Sequence, residues 1–191
     1  VLLPFQITNA IHAIENVFDG REKYKHITMA QATLNDGQTL RAFNDLFIGA
    51  ASHVSARYQL GYKHTNETHS SSGIIVSTGA GSTGWISSVI NMANGVYHSY
   101  QPKSSRLESP KINWEDEKLL FAVREPFASK TTSAQMVTGI ITKNNPLIIE
   151  SQMEQNGVIF SDGVESDFLA FNAAMIATIT LAQQKTKLVI P

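Results

Sequence analysis

Hydrophobic positions recur at helical spacing in two stretches of this chain; elsewhere they alternate or gather in short runs. Over residues 4–18, Phe5, Ile7, Ile11, Ile14, Val17 and Phe18 fall near one helical face. Pro4 suits the first turn of that helix, and Asp19-Gly20 ends it. The second pattern is Trp85, Ile86, Val89, Ile90 and Met92, a helix stopped near Asn94-Gly95. The remaining pattern is that of strands. Tyr24, His26, Thr28 and Ala30 alternate within Lys23–Leu34, Asn35-Asp36-Gly37 marks a hairpin, and Thr39–Ile48 returns as the partner strand. Val54–Tyr62 is strand-like, Lys63–Ser70 is a polar connection, and Ser72–Ser77 is a short apolar strand. Tyr97–Glu117 reads as a loop broken by Pro102 and Pro110. Short β-type runs follow at Lys118–Val123, Met136–Thr142, Leu147–Met153, Val158–Phe160, Phe168–Phe171, Ala174–Leu181 and Lys187–Ile190. Asn144-Asn145-Pro146, Asn156-Gly157 and Asp162-Gly163 punctuate them. Roughly nine to eleven strands with hairpin-like connections predict a mainly β fold, an antiparallel sandwich or complex β domain with one or two helices.

Composition narrows the function classes. With 191 residues, 42% of them hydrophobic and 16% charged, the chain can bury a sizeable core. A formal net charge of -1 and scattered lysines and arginines give no bias toward nucleic acid or an anionic membrane. Cysteine is absent, which excludes disulfides and thiolate metal sites and fits a reducing, cytoplasmic compartment. No apolar run approaches the roughly 18 residues that span a bilayer, and the first residues lack the basic and apolar regions of a signal peptide.

The candidate chemistry centres on one turn. Ile74-Ile75-Val76-Ser77 empties into Thr78-Gly79-Ala80-Gly81-Ser82-Thr83-Gly84, which opens the helix at Trp85. Small residues leave backbone N–H groups unobstructed and set hydroxyls beside them, as a phosphate- or ribose-bearing ligand requires. The simplest alternative is a glycine-rich connection with Ser82 or Thr83 as the helix N-cap. Gly79, Gly81 and Gly84 also satisfy the dinucleotide fingerprint G-x-G-x-x-G. That fingerprint needs a second parallel strand and an acidic residue roughly 20 positions on, and Tyr100–Ser109 has no apolar run. A P-loop is excluded, since no Lys follows the glycines. His64, His69 and Glu67 lie close in sequence, but a solvated connection explains them better than a metal site. No G-x-S-x-G elbow supports a serine nucleophile. Arg57 is either a phosphate or subunit contact or a plain strand-surface charge, and Trp114 reads as a packing anchor.

Taken together, Phe43-Asn44-Asp45-Leu46-Phe47-Ile48, the turn from Thr78 to Trp85 and Ile159-Phe160-Ser161-Asp162-Gly163 resemble the NAD kinase family. There an Asn and an acidic residue begin a strand, a T-x-x-G-S/T-T-A-Y-type turn follows, and a late strand ends in a D-G hairpin. The resemblance runs in order from Thr39 to about Ile190. It implies the β-rich C-terminal half of such a protein, residues 21–191, with residues 1–20 as a crossover helix from an N-terminal α/β half. The family's catalytic G-G-D-G is absent from these residues. The resemblance therefore implies no catalytic residue here and a general base in the upstream half.

By the same resemblance, Asn44 and Asp45 match the Asn-Glu pair that contacts the dinucleotide. Thr78, Gly81, Ser82 and Thr83 match turn positions near the adenosine, and Gly84, Trp85 and Ser88 match the continuation that lines the pocket. An amide can both donate to and accept from a base or ribose, a carboxylate accepts from ribose hydroxyls, and an indole offers a flat face. The chain departs from the family at Ser72, where an acid is usual, at Gly79 for Pro, at Trp85 for Tyr, and at Glu125–Lys130, which lacks the family's His. The implied reaction takes ATP and NAD to ADP and NADP. Mg²⁺ travels with ATP, no residue of this chain is dedicated to the metal, and the assembly is a homodimer or homotetramer. A lipid kinase of the diacylglycerol or sphingosine type, and a non-catalytic nucleotide sensor, are the alternative readings.

Overall fold

The computed structural model describes residues 5–103 and 105–190. The expected Pro4 turn lies outside them. Helix α1, Ile7–Phe18, is followed by strands β1 (Lys23–Ile27), β2 (Ala30–Leu34), β3 (Thr39–Ala42), β4 (Asp45–Ala50), β5 (Ala56–Tyr62), β6 (Thr65–Ser71) and β7 (Ile74–Ser77). Helix α2, Trp85–Tyr100, then leads to β8 (Leu119–Val123), β9 (Thr138–Ile141), β10 (Leu147–Ser151), β11 (Gly157–Ser161), β12 (Phe168–Ala170), β13 (Ile176–Leu181) and β14 (Thr186–Ile190). Every strand pairing is antiparallel. The mainly β expectation holds, with more strands than the sequence pattern resolves.

The strands form two six-stranded sheets, β3-β2-β13-β10-β5-β6 and β12-β11-β4-β7-β8-β9, and a ribbon of β1 with β14. The inner faces of the large sheets meet in one core. Tyr58, Leu60, Ile149 and Ile179 of the first pack with Leu46, Ile48, Phe121 and Ile159 of the second. The second sheet is covered on its other face as well, where Ile86 and Val89 of α2 pack with Ile112, Leu120 and Ala122. That is why β7 and β8 read as continuous apolar runs: both faces are buried. β7 and β8 pair with each other antiparallel, so β7-α2-β8 is not the parallel crossover of a dinucleotide fold.

Three elements differ from the sequence reading. Lys23–Leu34 is two strands in two sheets, and so is Thr39–Ile48, because the chain crosses between sheets at Phe43–Asn44. The polar Lys63–Ser70 forms most of an edge strand: Lys63 and His64 take positive φ (47° and 65°) and fold β6 back onto β5 as a tight hairpin. Helix α2 continues through Asn94-Gly95, since the buried Asn94 amide bonds both the N–H and the C=O of Leu107 and anchors the following loop.

Helix α1 buries none of its residues, and Ile7, Ile11, Ile14 and Phe18 are exposed along one face. Among the described residues, no helix is long and apolar enough to cross a membrane. Phe121 sits fully buried at the centre of the sandwich, edge-on to Tyr62. Phe121→Ala is expected to lower the unfolding free energy by about 3–5 kcal/mol, measured by urea denaturation.

Candidate functional site

Leaving β3 for β4, the chain quits one hydrogen-bond ladder before it joins the next. Its backbone groups at Phe43, Asn44 and Asp45 therefore need other partners. Asp162, at the end of β11, supplies them with its carboxylate. It accepts N–H bonds from Phe43 (2.9 Å), Asn44 (2.6 Å) and Asp45 (3.2 Å). Thr78 takes the other side of the corner. Its hydroxyl donates to the Phe43 carbonyl at 2.6 Å, and its N–H donates to the Asn44 carbonyl. With its backbone held, Asn44 keeps a side-chain amide that makes no hydrogen bond among the described residues.

The glycine turn is packed against this corner. A Cβ on Gly81 would lie 2.4 Å from the Asn44 carbonyl oxygen, and one on Gly79 would lie 2.2 Å from the Asn113 carbonyl oxygen. Both glycines are therefore required for backbone to touch backbone on two sides. The Thr78 hydroxyl also accepts from the N–H groups of Ala80 and Gly81, which fixes the curl of the turn from beneath. Neither Ser82 nor Thr83 caps α2. The N-cap is Gly84 and has no side-chain cap, while the Ser82 hydroxyl donates to the Gly79 carbonyl.

These residues divide among three hollows. Asn44, Asp45, Gly81, Thr83, Gly84 and Trp85 share a groove of about 290 Å³ with Asp162 and Gly163. Ser82 and Thr83 also face a larger hollow of about 700 Å³, walled by Trp114, Lys25 and Leu188. Ser88 lies beyond Trp85, in a small depression with Met92 and Arg124. Thr78 is fully buried, so it supports the groove from below. The Trp85 indole stacks on Phe47 (5.7 Å, 4°), which stacks on Phe160, and the Arg124 guanidinium sits 5.4 Å from the indole centre. Much of the aromatic surface is thus engaged within the protein.

Asp162 lines the same groove and is absent from the residues expected there from sequence. Its signal was the Asp-Gly hairpin after β11, but local sequence does not say which amides its carboxylate meets. The positive φ of Asp162 (53°) and Gly163 (76°) turns the chain there. Asp45 is half-buried, and one of its carboxylate oxygens is buried with no hydrogen-bond partner. Burial raises its pKa from the ordinary 3.8 to about 6, against the Ser77 hydroxyl and with the added repulsion of Asp162.

Glu67 and His69 lie on β6 and not in the solvated connection expected from sequence. His69 is fully buried, stacked on Tyr58 and bonded to Glu67 at 2.9 Å. Glu67 in turn accepts from the N–H groups of Gln135 and Met136. Although its partial burial opposes ionisation, the Ser133 hydroxyl, these two amides and His69 hold its carboxyl down to about 2. Trp114 packs edge-on to Phe43, and its carbonyl accepts from the N–H of Thr28.

Among solved structures, the chain is similar to yeast NADH kinase in complex with NADH. The TM-score is 0.68, with 98% of this chain and 50% of the yeast chain covered. The fold is NAD kinase-like. Sequence identity in that match is 15%, and the chain spans about half the length of the yeast protein. No family model and no curated protein sequence matches it.

The Asp45 shift has a definite sign in stability. A raised acid pKa means that the folded state holds its proton more tightly than the unfolded chain, so stability is lost as pH rises from 3.8 through about 6. Asp45→Asn is therefore expected to raise Tm above pH 6, with the gain vanishing below pH 3.8. Thermal melts of both proteins across that range check it.

Proposed function

We propose that this chain is the substrate-binding half of an NAD kinase-like phosphotransferase, which forms NADP and ADP from NAD and ATP. The observation that carries the reading is the corner at Phe43–Asp45, held by Asp162 and Thr78 against the glycine turn. It leaves the Asn44 amide and the Asp45 carboxylate at one groove, beside the Thr83 hydroxyl. That donor and acceptor set suits a base edge and ribose hydroxyls. The similarity to a kinase solved with NADH supports the same ligand class.

In the reaction, the ribose 2′-oxygen of NAD bonds to the γ-phosphorus of ATP as the bond to the ADP oxygen breaks. The hydroxyl proton passes to a carboxylate base in an upstream α/β half that carries G-G-D-G. Residues of this chain hold and orient the acceptor nucleotide. The open apolar face of α1 (Ile7, Ile11, Ile14, Phe18) suits its role as the crossover to that half. Among the described residues no three His, Asp or Glu side chains converge, and the Asp162 carboxylate is taken up by backbone amides. No step is assigned to a metal through this chain.

The test is NADP formation from NAD and ATP-Mg²⁺ by the polypeptide extended upstream. The expected result is turnover by the parent and at least a tenfold loss of kcat/KM in Asn44→Ala, about 1.4 kcal/mol or more. A folded parent with intact G-G-D-G and no turnover on NAD would overturn the reading and move the search to lipid acceptors. Asp162→Ala removes the partner of three amides and is expected to lower stability by about 1–2 kcal/mol. It should also weaken NAD binding, measured by calorimetry, because Asn44 and Asp45 lose their anchor.

A further inference from the structure

A second hollow, of about 320 Å³, opens on the first sheet at the β5–β6 edge, away from the groove at the glycine turn. Arg57 of β5 and Ser70 of β6 are directly paired, and Thr68 follows two residues before Ser70 on the same outward face. Gln152, just after β10, joins them by donating its N–H to the Arg57 carbonyl. The opposite wall is the loop after β8. Phe127 donates to the Ser70 carbonyl at 2.8 Å, and Ser133 donates to the Thr68 carbonyl at 2.9 Å, so the loop is laced along the β6 edge. Within the loop the Ser129 hydroxyl accepts from the N–H groups of Thr131 and Thr132, and the Thr132 hydroxyl donates to the Phe127 carbonyl at 2.7 Å. The wall is thus built before any ligand arrives.

The chemistry of the hollow is one-sided. Its lining holds the Arg57 cation, hydroxyls, an amide and the buried His69 ring, and no carboxylate. On the inner face of β6, Glu67 is occupied by the amides of Gln135 and Met136 and by His69. Glu150 is exposed on the outer face of the neighbouring β10, does not line the hollow and makes no ion pair among the described residues. Among the described residues, the Arg57 guanidinium and the side chains of Gln152, Ser70 and Thr68 have no hydrogen-bond or ion-pair partner. An unpaired guanidinium among free donors, without a competing carboxylate, is the arrangement that takes a phosphate. The exposed Phe127 ring on the rim gives an apolar surface for the body of such a ligand.

We propose that this hollow binds a small phosphate monoester, of about the size of a pentose phosphate, through Arg57, Gln152 and Ser70. The volume falls at the lower end of the roughly 300–1,000 Å³ range of small-molecule sites. The site is independent of the nucleotide groove and of the phosphotransfer reading.

The test is an ¹⁵N amide shift titration of the full chain with ribose 5-phosphate, with inorganic phosphate and unphosphorylated ribose alongside. Saturable shifts at Ser70, Thr132 and Gln152 are expected with ribose 5-phosphate, weaker ones with phosphate, and none with ribose. Arg57→Gln should weaken binding at least tenfold, and Arg57→Lys should fall between it and the parent, because it keeps the charge without the fork. Arg57 is exposed and its side chain contacts no described partner, so the variant spectra report folding directly; Gln152→Ala provides a second weakened variant. Equal affinity in Arg57→Gln, binding of ribose as tight as its phosphate, absence of saturable shifts, or shifts confined to the groove around Asn44 would each overturn the proposal.

Discussion

The site depends on how one corner of backbone is satisfied. Between β3 and β4 the chain passes from one sheet to the other, and three successive N–H groups leave the ladder together. The Asp162 carboxylate collects all three, while Thr78 takes the adjoining carbonyls. An ionised carboxylate is suited to this, since it only accepts and its charge strengthens each bond. Because backbone groups are served by residues from elsewhere, the Asn44 side-chain amide has no hydrogen-bond partner among the described residues. The same corner buries Asp45 beside Asp162, and burial above all, with a smaller repulsion from Asp162, raises its acid pKa at the groove.

Close approach is the second constraint. The glycine turn has corner backbone on one side and the Asn113–Trp114 segment on the other, with no room for a Cβ at Gly79 or Gly81. Side-chain volume is excluded where a ligand's polar atoms could come near main-chain N–H groups. Trp85 then starts α2 by stacking on Phe47, and α2 covers the outer face of the second sheet. The two sheets consequently differ. The central strands of the second are buried on both faces, whereas the first keeps an open outer face on which Arg57 has no ion-pair or side-chain hydrogen-bond partner among the described residues.

The legible parts of the fold were local. Asn35-Asp36-Gly37 turns the hairpin of β2 and β3, as its backbone preference requires, and the spacing of Ile7, Ile11, Ile14 and Phe18 makes α1. The small-residue turn stood out because composition alone exposes its amides. Lys63–Ser70 misled because an edge strand with a solvated face needs no apolar run; its pairing comes from the two-residue turn and from the loop at 126–133 laced along it. Gly95 misled for a different reason. Its helix penalty of about 1 kcal/mol is set against the hydrogen bonds of buried Asn94 to Leu107, a partner more than three helical turns away in sequence.

What the sequence determined by itself, then, is the alternation that makes strands, the turns that join them, and the glycines that permit close contact. Each of these is set by dihedral preference and hydrophobic period over a few residues. Which sheet each strand joins was decided only in three dimensions. The run from Thr39 to Ile48 keeps strand character through the crossing, and nothing local marks where one ladder ends. The role of Asp162 was decided there too: a carboxylate more than a hundred residues from Asn44 meets its amide only because β11 and β4 pair in antiparallel register.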